Sequence, residues 1–208
     1  MLFVMLSAPM GVNRSAVSSA LIRGLRAEGL RRVTVLSNDV AVDSADAMNS
    51  RICELERRTL NNACVSCSLK PDLVEELRRM ERESDPQAVI FEANPNAHPA
   101  MVLDALEDLN GLTISNVAVV MVLDAVMFHE RAAVHERPLR QQLGLADLVV
   151  MDNADGVAYE ELEEMESTVA SWGHRGPFLR MLDGGYGHDL SPLIDLAMGT
   201  TVESRQKD

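Results

Sequence analysis

The chain has 208 residues, 47% of them hydrophobic and 25% charged, with a formal net charge of −13. This is the make-up of one globular domain with a substantial core. So negative a chain is repelled by a nucleic-acid backbone or an anionic membrane and suits a basic protein surface, which leaves open docking on the protein part of a nucleoprotein particle. No apolar stretch reaches the roughly 18 residues of a membrane span, and no signal peptide is recognisable, so a cytoplasmic protein is expected. In a reducing compartment the three cysteines are thiols, available for metal binding or burial rather than disulfides.

In chain order, "MLFVML" (Met1 to Leu6) predicts a first strand, and "SAPMGVNRSAVSS" (Ser7 to Ser19) leads from it into a helix with Val17, Leu21 and Leu25 on one face. Arg31 to Ser37 predicts a second strand. A helix after Pro71 carries Leu73, Leu77 and Met80 on one face. It places Asp72, Glu75 and Glu76 early and Arg78, Arg79 and Arg82 late, matching the helix dipole. Ala88 to Phe91, Val117 to Leu123 and Ala146 to Met151 predict further strands. A third helix follows, marked by Leu162, Met165, Val169 and Trp172, with Glu160, Glu161, Glu163, Glu164 and Glu166 as its solvated side. "FLRML" predicts the last strand, the Gly-rich Asp183 to Asp189 a turn, and Ser191 the neighbourhood of a closing helix. Strands that are apolar throughout are covered on both faces. The expected fold is therefore a three-layer α/β sandwich, a mainly parallel sheet with helices on both faces. It forms one domain over residues 1–200, with a polar tail at 201–208.

A phosphate-binding loop has the form G-x-x-x-x-G-K-[ST] between the first strand and the first helix. In that place stand Ala8, Pro9, Met10, Gly11, Val12, Asn13, Arg14 and Ser15. Ser15 keeps a hydroxyl that could reach magnesium, and Arg14 keeps the charge but not the compact ammonium. Ala8 and Asn13 replace glycines whose missing Cβ lets the backbone converge on an anion. The location is that of a phosphate loop and the composition mostly is not.

The order of this loop, "SNDVAVDSAD" (Ser37 to Asp46), "NNACVSCSLKPDL" (Asn61 to Leu73), "VIFEANPNAHP" (Val89 to Pro99), "VVMVLDA" (Val119 to Ala125) and "QLGLADLVVMDNAD" (Gln142 to Asp155) resembles CobW-like proteins. These are P-loop GTPases of the metallochaperone class that includes HypB and UreG. The resemblance spans about residues 1–185 and implies a P-loop NTPase-like fold. The separate C-terminal domain common in that family is expected to be missing.

Position by position, the resemblance implies a degenerate nucleotide site at Gly11, Asn13, Arg14, Ser15, Glu92 and Asp155. Glu92 stands where the family has its acidic switch residue. Three places on, where a glycine N–H bonds the terminal phosphate, stands Pro95, which has no N–H. Asp152-Asn153-Ala154-Asp155 takes the place of the guanine-reading Asn-Lys-x-Asp. Asp155 keeps the carboxylate for the base N1 and N2 hydrogens, whereas Asp152 sets an acceptor against acceptors. These changes argue against GTP and magnesium and for a pseudo-GTPase.

The family's Cys-x-Cys-Cys becomes Cys64-Val65-Ser66-Cys67, a pair that could grip zinc with Asp39 and a further ligand such as Cys53 or a histidine. The alternative is that both cysteines simply pack in a turn. His129 and His135, six apart, read as surface histidines. The first functional expectation is a zinc-homeostasis or metallochaperone-type binding protein that docks on a client. A branch of the family carrying the same Cys-Val-Ser-Cys is linked to zinc limitation and ribosome hibernation. The resemblance to it implies an alternative, a protein-interaction module with the ribosome as partner. The last alternative is a slow GTPase using Arg14, Ser15 and Glu92.

Overall fold

Strands without polar alternation need cover on both faces. They receive it in the computed structural model, which describes residues 1–38, 55–60, 69–109, 111–182 and 189–200. The strands are β1 (Leu2–Ser7), β2 (Val33–Ser37), β3 (Glu56–Thr59), β4 (Ala88–Glu92), β5 (Asn116–Asp124), β6 (Leu148–Asp152) and β7 (Phe178–Arg180). They form a seven-stranded sheet in the order β3-β2-β4-β1-β5-β6-β7, every neighbour parallel. The helices are α1 (Ser15–Ala27), α2 (Leu69–Glu83), α3 (Pro99–Glu107), α4 (Phe128–Leu143), α5 (Tyr159–Ser171) and α6 (Ser191–Met198).

Side chains alternate across the strands and build cores on both sides. Val4, Leu6, Val35, Ile90 and Val120 pack with Val17, Leu21 and Leu25 of α1 and Leu193 and Ile194 of α6. On the opposite face, Phe3, Met5, Leu36, Val89 and Phe91 meet Leu73, Leu77 and Met80 of α2 and Val102 and Ala105 of α3. Farther along that face, Met121, Leu123, Val149 and Met151 meet Leu139 and Leu143 of α4 and Leu162, Met165 and Val169 of α5. The three-layer parallel architecture is thus the expected one. No helix among the described residues is long and apolar enough to cross a membrane.

Four local features differ from the reading of the sequence. The edge strand β3, Glu-Arg-Arg-Thr, carries no apolar pattern; Arg58 anchors it, paired with Glu56 at 2.6 Å and with Glu76 and Glu83 of α2 at 3.2 and 2.8 Å. Glu76 is accordingly buried rather than a surface partner of the dipole. Glu166 is half-buried and binds Arg180 at 2.7 Å, while Glu160, Glu161, Glu163 and Glu164 stay exposed as expected. Trp172 caps the C-terminal end of α5 rather than continuing its face, and packs against Phe128 with ring centroids 6.0 Å apart. The Gly-rich segment 183–188 and the tail 201–208 lie outside the described residues.

The order of the strands positions the site. From β1 the chain moves outward to β2 and β3 and returns to β4 beside β1. It then continues on the other flank through β5, β6 and β7. Crossovers therefore diverge around β1, and the crevice at the C-terminal ends of β4, β1 and β5 is where such sheets bind ligands.

Candidate functional site

At the C-terminal end of β1 the chain turns through Gly11, whose φ of +80° is left-handed and suits a residue without Cβ. The Val12 N–H donates to the Pro9 carbonyl at 3.1 Å, closing the turn. Asn13 Oδ1 accepts from the Ser15 N–H at 2.8 Å. One of the amides that a helix start leaves for an incoming anion is therefore already engaged by the loop itself. Arg14, at the N-cap of α1, donates through its guanidinium to the Ala93 carbonyl and ties the loop to the end of β4. Ala8 is fully buried, its methyl group part of the core shared with α1.

Helix α4 closes over the same loop. An ideal Cβ on Gly11 would lie 2.6 Å from Nη2 of Arg131, so this guanidinium rests on the turn. Pro95, just past β4, accepts from Gln142 Nε2 at 3.1 Å. Pro138 lacks the N–H for its helical bond to Val134, and the helix is non-helical at His135, with φ −126° and ψ 29°. At the kink a hollow of about 100 Å³ opens, lined by Pro9, Met10, Pro95, His135, Pro138 and Gln142 among others.

Glu92 ends β4 as expected and is 7% exposed. Its Oε2 lies 3.7 Å from Nη1 of Arg57 on β3, while its Oε1 is buried without a hydrogen bond among the described residues. The Nδ2 of Asn38, the residue after β2, is buried in the same condition. The Glu92 carboxylate thus faces an arginine of the chain's own edge strand.

Asp152 ends β6, opposite Asp124 in the β5–β6 register, and its Oδ1 is buried without a hydrogen bond among the described residues. Burial pushes its carboxyl above the usual carboxylate range. Repulsion from Asp124 and Asp155 adds to the shift, and a hydrogen bond from the Asn153 backbone opposes it. Asn153, at φ 56° and ψ 33°, donates from Nδ2 to Asp124 Oδ2 at 2.9 Å, so its side chain is directed to β5. Asp155 is exposed on the 3-10 turn Ala154–Gly156.

The fold therefore brings Gly11, Asn13, Arg14, Ser15 and Glu92 to neighbouring strand ends, with Asp155 two strands from β1. Asp39, Cys53, Cys64 and Cys67 lie outside the described residues. Among the described residues no three or more His, Cys, Asp or Glu side chains are grouped to hold a metal. His129 and His135 are exposed, and His129 Nε2 is 3.3 Å from Glu161. Arg57 and Arg131 were missed in the sequence, because neither lies within a loop's length of the residue it meets.

A parallel sheet whose central strand runs through a tight turn into the N-terminus of the next helix has the architecture of a P-loop nucleotide-binding domain. The family described as CobW/HypB/UreG, nucleotide-binding domain, matches residues 2–180, and the chain belongs to it. A zinc chaperone CobW from a Sinorhizobium species is 24% identical over 220 residues, covering 91% of this chain and 61% of that protein. The chain thus spans about three fifths of the length of this curated relative.

Among solved structures, HypB from Archaeoglobus fulgidus has a TM-score of 0.61 and 16% identity, covering 96% of this chain and 89% of that one. The Zn(II)-bound YjiA GTPase from E. coli has a TM-score of 0.60 and 18% identity, covering 94% of this chain and 61% of that one. HypB from Helicobacter pylori in complex with nickel has a TM-score of 0.57 and 12% identity, covering 96% and 85%. At these identities the likeness speaks for the fold.

Proposed function

We propose that the chain is a catalytically degenerate CobW-like binding protein of metal homeostasis, in which the nucleotide fold serves as a scaffold that docks on a client protein. Zinc is its cargo, gripped by the Cys64 and Cys67 thiolates with Asp39 as a carboxylate candidate. Two thiolates and a carboxylate suit zinc, which takes sulfur and oxygen donors in a tetrahedral set and leaves a position for handover when three ligands come from the protein. The family supports the reading, as does the curated zinc chaperone relative.

GTP and magnesium do not fit the residues present. The observation that carries this part is Pro95, which has no N–H for a terminal phosphate and whose carbonyl is engaged by Gln142. Arg14 and Glu92, the groups that would face phosphate and magnesium, are directed instead to the Ala93 carbonyl and to Arg57.

Zinc titration followed by thiolate-to-metal absorbance tests the cargo reading. Uptake is expected, and it is expected to fall away in Cys64→Ser and in Cys67→Ser. Incubation with GTP and magnesium is expected to release no phosphate above background. Release that disappears in Arg14→Ala would establish a slow GTPase instead, and zinc uptake indifferent to both cysteines would remove the cargo.

A further inference from the structure

Helix α4 brings a cation and a hollow to the same loop. In a chain with 32 acidic and 19 basic residues, arginines find carboxylates easily, and Arg32, Arg58, Arg79, Arg140 and Arg180 each hold one within 3.2 Å. The Arg131 guanidinium has no hydrogen bond or ion pair among the described residues. Its side chain is half-buried, with Nε fully so and Nη2 resting on the turn at Gly11. The two terminal nitrogens are not closed off in this way and stay accessible. One turn further along α4 lies the hollow of about 100 Å³, walled by Pro138 and Leu139 and by Pro9, Met10 and Pro95. Met10 in its wall and Gly11 under the guanidinium are consecutive, so cation and hollow adjoin. Two large apolar side chains flank this place in water, Met10 at 59% exposure and Val134, one turn before Pro138, at 69%.

Three of the walls are prolines, which have no N–H to offer, and the Gln142 amide is already engaged by the Pro95 carbonyl. The hollow therefore suits an apolar group. A cavity of about 150 Å³ accepts a benzene ring, so about 100 Å³ suits a branched side chain of roughly four carbons. Beside it, a partly desolvated guanidinium without a partner calls for an anion, and its planar fork matches a carboxylate. Phosphate fits less well, because the Ser15 N–H is engaged by Asn13 and Arg14 is turned to Ala93. In the last residue of a polypeptide, a side chain and a carboxylate leave the same carbon atom. A free acid small enough for the hollow would leave Met10 and Val134 in water, whereas a chain arriving there covers them.

We propose that this site captures the C-terminal residue of a partner protein. The apolar side chain of that residue fills the hollow, its terminal carboxylate pairs with Arg131, and the residues before it pass over Met10 and Val134. The inference rests on the reading above in one respect, that the fold serves as a docking scaffold, and it is independent of zinc and of nucleotide.

A fluorescent pentapeptide ending in lysine, valine and leucine with a free carboxylate, titrated with the full chain and followed by anisotropy, tests it. Saturable binding is expected. Amidation of the C-terminus is expected to weaken it about tenfold. That sign is diagnostic, because amidation removes a negative charge, and general attraction to a chain of net charge −13 would favour the amide. Alanine in place of the terminal leucine is also expected to weaken binding about tenfold. Arg131→Gln is expected to weaken the free acid about tenfold and to abolish the difference between acid and amide. Arg140→Gln, which removes an ion pair elsewhere on α4, is expected to alter binding less than about twofold. Thermal melts establish that the variants are folded, and the comparison of acid with amide on the unaltered chain stands whatever Arg131→Gln does to folding.

Absence of saturable binding overturns the proposal, as does an amide that binds as tightly as the acid. Equal losses in Arg131→Gln and Arg140→Gln would mark nonspecific charge attraction and overturn it too. So would full displacement of the peptide by an equal concentration of isocaproate, which would make a free acid the occupant. Zinc titration of the same sample tests the underlying reading separately. Cysteine-dependent zinc uptake without peptide binding overturns this inference alone, whereas peptide binding without zinc uptake overturns the cargo and leaves this inference standing.

Discussion

Replacing Asp152 by asparagine is expected to stabilise the protein at neutral pH. The aspartate buries an acceptor oxygen without a partner among the described residues, a condition that costs about 1–3 kcal/mol. The amide keeps the shape, removes the charge and sets a donor among the carboxylates of Asp124 and Asp155. Burial first, then repulsion from those two neighbours, raises the folded-state pKa of Asp152 above its unfolded value. The destabilisation from its ionised form is therefore present in full above the raised pKa. It is relieved as pH falls through that pKa toward the ordinary carboxylate range. A gain of about 1–2 kcal/mol corresponds to roughly 2–8 °C in a chain of this length. Calorimetric melts of both proteins from about pH 8 down to about pH 4 should show the difference shrinking with acidity. A loss of stability at the alkaline end, or a difference that ignores pH, would refute the reasoning.

Gly11→Ala is expected to destabilise by about 1–2 kcal/mol, because φ there is +80°. Crowding of Arg131 adds to this, and a double-mutant cycle with Arg131→Ala should recover only the crowding share. Arg58→Met leaves the buried Glu76 without its cross-element partner and is expected to cost about 1–3 kcal/mol. Hydrogen exchange should show the loss concentrated in β3 and the facing amides of β2, and a uniform change would count against the anchoring role. Pro95→Gly restores a backbone N–H beyond β4 yet is expected to release no phosphate from GTP. Turnover from that change alone would show that the imino acid was the whole defect.

Much of the fold was legible because its physics is local. Val4, Ile90, Val120 and Val150 lie in strands buried on both faces, and such runs announce a parallel sheet without knowledge of the partners. The kink in α4 is implicit in Pro138. Strand β3 was illegible for the opposite reason: Glu56, Arg57 and Arg58 carry no apolar alternation, and the edge holds through carboxylates on α2, 18 and 25 positions beyond Arg58. At the site, loop spacing located Gly11, Asn13, Arg14 and Ser15. What those residues touch was not recoverable, since Ala93 and Arg131 reach the loop only through tertiary packing.

These contacts also change how the substitutions in the site combine. Taken from the sequence, Asn13, Arg14 and Pro95 are separate departures from a motif, each open to separate reversal. In the fold they belong to one closed set: Asn13 engages the Ser15 N–H, Arg14 ties the loop to Ala93, and Gln142 ties Pro95 to α4, whose Arg131 rests on Gly11. The first two links engage with the chain's own atoms donors, the Ser15 N–H and the Arg14 guanidinium, that an open anion site would keep for its ligand. Reversing one residue leaves the other links in place, so the effects of single reversions on phosphate binding should not add. Asp152 stands outside this set, its Oδ1 without a hydrogen bond among the described residues. A change at Asp152 is therefore expected to add independently to the effect of any of these reversions on stability.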